Sequence, residues 1–139
     1  DSDNIAVTYS SSAYIGSAEQ THDTLIVKLT LQVFFIKSDS WVSQQAYNNH
    51  YALTHEQMHF DLTRIAADGF KQRILKGEIP PDDADSYIQY QYIEAFRDMN
   101  HLQDQYDAAT HHGQDHVAEQ QWEQYVRKQL VAIYGNDSR

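Results

Sequence analysis

Cysteine is absent from the 139-residue chain, which excludes disulfides, thiol catalysis, iron–sulfur clusters and thiolate zinc sites. Two prolines and five glycines are too few for a low-complexity chain or a many-turned β-sandwich. Cations are scarce: ten Lys and Arg stand against 20 Asp and Glu, a formal charge of -10 with His neutral. Affinity for nucleic acid comes mostly from Lys and Arg neutralising phosphates, so no nucleic-acid partner is expected, and an anionic membrane surface is disfavoured. No apolar run approaches the length of a membrane span. The sequence begins at Asp1 rather than Met, which fits removal of an upstream segment such as a signal peptide.

What remains is the make-up of one domain over residues 1–139, 41% hydrophobic and 22% charged. A chain of this length buries roughly two thirds of its unfolded surface and needs no metal to fold. The N-terminal third reads as strand. Ile5, Val7 and Tyr9 alternate, and after Ser10-Ser11-Ser12 the stretch Ala13–Gly16 offers a short extended piece. Over 24–37 the β signal is clearest, with Leu25, Val27, Leu29, Leu31, Val33 and Phe35 on one face and Lys28, Thr30 and Gln32 on the other. Helical spacing then takes over. Between Ser43 and Lys76 the inward residues are Tyr47, Tyr51, Met58, Leu62, Ile65 and Phe70, with Gly77 as a stop. Pro80-Pro81-Asp82-Asp83 starts a second helix, Ala84 to about Tyr106, with Ile88, Tyr92, Ala95, Met99 and Leu102 inward. Thr110-His111-His112-Gly113 breaks it. A third helix fits Val117–Tyr134, with Trp122, Tyr125, Val126, Leu130 and Ile133 inward and Gly135-Asn136 at its end. Strands first and helices later mean α+β.

His55-Glu56-Gln57-Met58-His59 is an HExxH motif inside the longest helical pattern. Residues i and i+4 lie one turn apart on one face, so both imidazoles reach one ion. Glu56 is rotated about 100° from His55, which sets it beside the ion, where it can take a proton from a polarised water. Catalytic zinc sites use three protein ligands. The long metzincin motif is excluded, because Leu62 and Ile65 stand where it needs Gly and His. The third ligand is then either a downstream carboxylate (Glu78, Glu94, Glu119 or Glu123) or a histidine of the loop holding His111, His112 and His116, with His101 further back.

At this point the sequence resembles an uncharacterised family of bacterial proteins regarded as secreted zinc-dependent proteases of the zincin type. The resemblance runs from about residue 5 to the last helix. It rests on Phe34-Phe35 followed by Ser40-Trp41-Val42, on Leu53-Thr54 leading into an extended HExxHFD form through Phe60 and Asp61, on the YDxxTxHG pattern from Tyr106 to Gly113, and on Gln121-Trp122. It implies a zincin-like fold, with a small N-terminal antiparallel sheet packed on the HExxH helix and two further helices. It implies a Zn²⁺ peptidase with Glu56 as general base and His55 and His59 as ligands, located outside the cytoplasm. Matching Thr110, His112 and Gly113 to its TxHG element selects His112 as third ligand, ahead of His116 and His111.

The other motif residues carry their own expectations. Asp61 is either an acceptor for a ligand imidazole or an exposed carboxylate. Tyr106 is packing, with donation to an oxyanion as the rarer role. Thr110 shapes the loop, and Trp41 and Trp122 belong to the core. The strand at 24–37 is the edge on which an extended peptide or protein substrate would pair. The rival readings are a catalytically silent zincin-fold binding or scaffold module, and an amidase acting on cell-wall peptide.

Overall fold

A computed structural model describes residues 6–135, so the expectations resting on Ile5 and Asn136 lie outside the described residues. The architecture is α+β. β1 (Ala6–Val7), β2 (Ser10–Thr21), β3 (Thr24–Phe35) and β4 (Trp41–Val42) precede α1 (His50–Lys76), α2 (Ala84–Thr110) and α3 (His116–Tyr134). The strands form two separate antiparallel pairs, β1 with β4 and β2 with β3. Among the described residues no helix is long and apolar enough to cross a membrane.

β2 and β3 make a long hairpin in continuous register from Ser10↔Phe35 to Thr21↔Thr24. Leu25, Val27, Leu29, Leu31 and Val33 are half-buried while their alternates are exposed, the period-2 pattern of a sheet covered on one face. Phe35 departs from that pattern and is exposed. The serine run is part of β2, because backbone pairing and local anchors hold it. Ser12 accepts from the Tyr92 hydroxyl through its carbonyl (2.6 Å), and the Ser10 and Thr63 hydroxyls are 2.6 Å apart.

α1 begins later than the apolar spacing suggests. Residues 44–46 form a single 3-10 turn, and Asn49 then caps α1 by accepting from the Ala52 amide at 3.1 Å. Tyr47 and Tyr51 therefore precede or open the helix and are exposed rather than inward, and Trp41 on the short β4 is likewise exposed rather than core. Gly77 ends α1 at a close approach: a Cβ there would meet the Tyr87 hydroxyl and lie 2.9 Å from the Arg73 carbonyl. α2 runs on past Tyr106 to Thr110, and Asp115 caps α3 through the Ala118 amide at 3.1 Å.

α1 spans about 40 Å, enough to serve two packing regions. Met58 and Leu62 in its first half pack with Tyr106, Val126 and Leu130 from α2 and α3, joined by half-buried Ile65, Leu102 and Trp122. Phe70 and Ile74 in its second half pack with Ile88 and Ala95, roofed by Tyr14, Val27, Leu29 and Leu31 of the hairpin. The motif sits in the three-helix half.

Candidate metal centre

His55, His59 and Thr63 lie at i, i+4 and i+8 on α1 and form one stripe. Gln103 and Asp107 form the matching i, i+4 pair on α2. Packing the two helices brings the stripes together. Asp107 Oδ1 lies 2.9 Å from His55 Nε2 and 2.8 Å from His59 Nε2. His55, His59 and Asp107 form a group whose ligand atoms all lie within 4.8 Å of one another and could hold a metal ion.

The far nitrogens of both rings are committed. His55 Nδ1 lies 3.0 Å from Oε2 of Glu119 on α3, a carboxylate that is 2% exposed and also accepts from the Tyr106 hydroxyl. His59 Nδ1 donates to Gln103 Oε1. The orientation of that amide follows from its other end, where Gln103 Nε2 donates to the His59 carbonyl (2.9 Å) and to Thr63 Oγ1 (3.0 Å). With both Nδ1–H groups engaged, each neutral imidazole turns its Nε2 lone pair toward the carboxylate. Lone pairs facing a carboxylate repel, so the arrangement requires positive charge between them: protons on the Nε2 atoms, or a cation.

The electrostatics carry the same message. Burial lowers the His55 pKa, but hydrogen bonds and charge from Asp107 and Glu119 outweigh it and push the ring up to about 9. His59 is also raised: burial opposes this, and Asp107 overcomes it. Burial pushes the Asp107 carboxyl upward, but its bonds to the two imidazoles dominate and hold it well below the usual carboxylate range. Two imidazoles and one carboxylate suit zinc and other borderline divalent ions better than magnesium or calcium. Tetrahedral zinc spaces its ligand atoms about 3.3 Å apart, so the separations of 2.8 and 2.9 Å between Asp107 Oδ1 and the two ring nitrogens would each open by about half an ångström.

The YDxxTxHG residues build the second wall. Tyr106 is fully buried and stacks on His55 with centroids 4.6 Å apart, and burial together with its bond to Glu119 holds its hydroxyl protonated. Its place is therefore under the imidazole, the packing role. Thr110 Oγ1 donates to the Tyr106 carbonyl (2.8 Å) and accepts from the Gly113 amide (3.2 Å), clipping the loop to the end of α2. Gly113 has φ +85°, and a Cβ there would lie 3.0 Å from His55 Cγ, so the loop backbone presses on the ring where only glycine fits.

The loop histidines lie at the rim. His112 is exposed, with Nδ1 3.8 Å from Asp107 Oδ1. His111 is the left-handed C-cap of α2, and His116 stacks on Tyr51 with centroids 3.9 Å apart. His101 is exposed on α2. Among the downstream carboxylates, Glu119 serves the far side of His55, and Glu94 pairs with Arg97 at 3.1 Å. Asp61 meets neither expectation. Two residues past His59, about 200° around the helix, it is fully buried and accepts from Gln57 Nε2 (3.2 Å) and Arg64 Nη1 (3.4 Å).

Glu56 completes the site. Its Oε2 is buried without a hydrogen-bond partner among the described residues, beside the His pair and at the wall of a cleft of about 980 Å³. The cleft is bounded by residues 6–10, by α1 and α2 around the cluster, and by the 111–114 loop. β1 and the start of β2 occupy the place expected of β3, none of whose residues reaches this cleft.

No family model matches the chain, and neither a curated protein nor a solved structure matches it. Asp107 and Glu119 acquire their roles from the structure alone. The sequence signal for the first is the Gln103/Asp107 polar pair at i, i+4 on an otherwise amphipathic helix.

Proposed function

We propose that the chain is a zinc-dependent hydrolase acting on peptide bonds, with His55, His59 and Asp107 as metal ligands and Glu56 as general base. The observation that carries this reading is Glu56 Oε2, buried and without a partner among the described residues, beside two imidazoles whose Nε2 atoms converge on Asp107 Oδ1. A bare carboxylate oxygen kept from solvent is costly unless it has a task, and accepting a proton is one. When bound, the ion would polarise a carbonyl and bring the pKa of water to about 7. Glu119 and Gln103 hold the two rings in the tautomer that offers Nε2. Glu56 takes the proton of the attacking water and returns it to the leaving amine. The segment at residues 6–10, where β1 pairs among the described residues with β4 alone, favours a substrate laid alongside it as an extended chain.

The test is metal content with turnover. Protein purified without chelator should carry about one zinc per chain and cleave a peptide library. Glu56→Gln should keep the metal and lose turnover. Unchanged turnover in that variant, or hydrolysis that survives complete demetallation, would remove the proposal. Metal without any turnover in the parent chain would leave the binding-module reading.

A further inference from the structure

Two adjacent stripes run along the N-terminal half of α1. One holds Ala52, His55 and His59 and faces the cleft. The other holds Leu53, Gln57 and Phe60 and faces a second hollow of about 600 Å³. Glu56 lies on the border and lines both, as do Ala6, Val7 and Thr8. The hollow is closed by Phe35, Trp41 and Val42, so three separate elements bring large apolar side chains to one place.

These side chains are not spent on the core. Phe35 is 47% exposed, Trp41 46% and Leu53 43%. Single exposed apolar residues are ordinary, but a converging set beside a carboxylate oxygen kept from solvent marks a surface meant to be covered. Among the described residues Glu56 is its one ionisable side chain. A cationic guest would compete for the carboxylate that moves the proton, and an anionic guest would be repelled by it. A large neutral apolar group meets only favourable contact.

We propose that this hollow is the specificity pocket, receiving a large aliphatic or aromatic side chain from the residue adjoining the cleaved bond. The inference rests on the peptidase reading for its bond, but not for its pocket. Continuity with the cleft through Glu56 and residues 6–8 places the guest next to the general base. The segment at residues 6–10 then carries the neighbouring backbone past both hollows.

The experiment uses zinc-loaded protein and blocked peptides identical but for Phe, Leu, Ala, Lys or Asp at one position, scanned along the chain. Cut sites are read by mass spectrometry, and binding by the emission of exposed Trp41, with half-buried Trp122 as the internal reference. Phe or Leu should be preferred over Ala, Lys and Asp by about tenfold or more at one position next to the cut. Leu53→Asp and, independently, Trp41→Ala should bring that preference to near one. Cleavage without an apolar preference, or a preference untouched in both variants, overturns the pocket and leaves the peptidase. Phe-peptide binding that shifts Trp41 emission and is lost in Leu53→Asp, with no peptide cut, upholds the pocket and removes the peptidase. A Trp41 shift that follows protein concentration instead of peptide gives the face to a second copy and overturns the inference. So does the absence of both cleavage and any Trp41 response.

Discussion

Glu119 Oε2 lies 3.0 Å from His55 Nδ1, on a helix 64 residues further along the chain, and so decides which nitrogen of His55 faces Asp107. The carboxylate is buried, and among the described residues no Lys or Arg pairs with it. Glu119→Gln keeps the shape and removes the charge. Metal affinity should fall about 10- to 100-fold, read by competition against a chromogenic chelator. Unchanged affinity would reduce Glu119 to a partner of Tyr106.

Asp107 and His112 can be separated as ligands. Asp107→Ala should lose most of the metal, because the carboxylate stands at hydrogen-bond distance from both Nε2 atoms. His112→Ala should keep it, its ring being exposed and 3.8 Å from Asp107 Oδ1. Metal analysis of the two purified variants decides, and the reverse pattern would make His112 the third ligand.

Metal-free protein should lose stability on the alkaline side. His55 is raised to about 9 against an unfolded value near 6.5, so its contribution is complete below about 6.5 and disappears as pH rises through 9. Asp107 is lowered, so its contribution is present above about 4 and disappears in acid. In chelator, Tm should fall between pH 6.5 and 9.5. With zinc, the alkaline fall should shrink and uptake at pH 7 should release protons, measured in buffers of different ionisation enthalpy. A flat Tm in chelator would show that the His–Asp contacts do not stabilise the free protein.

Two loop substitutions have opposite signs. Gly113→Ala meets both the positive φ and the His55 ring, and should cost about 1–3 kcal/mol in urea unfolding while weakening metal binding. His111→Gly relieves a left-handed non-glycine residue at φ 50° and should stabilise by about 1 kcal/mol without loss of metal. Loss of metal in His111→Gly would bring that ring into the site.

Legibility in the sequence follows how local each feature is. The HExxH helix, the alternation along β3 and the stripe Ile88–Tyr92–Ala95–Met99–Leu102 are set by periods of a few residues, and the structure carries each of them. Tyr51 and Trp41 were expected inward because hydrophobicity says that a side chain is apolar, not that a neighbour covers it. Both flank cavities instead. Asp107 was within a motif but without a role, since its meeting with His55 depends on how α2 lies on α1. Asp61 defeated both readings because a carboxylate can be fully buried away from any imidazole, here accepting from Gln57 and Arg64 one turn to either side.

The double duty of α1 divides the molecule by the solvent conditions that undo it. Its first half is clasped to α2 and α3 by ionic contacts spanning 52 and 64 residues, and its second half is seamed to the hairpin by aromatic and aliphatic packing. Acid strikes the clasp and leaves the seam untouched. Amide exchange along this one helix should therefore quicken first in its N-terminal half as pH falls, a one-sided fraying that a single uniform core would not produce.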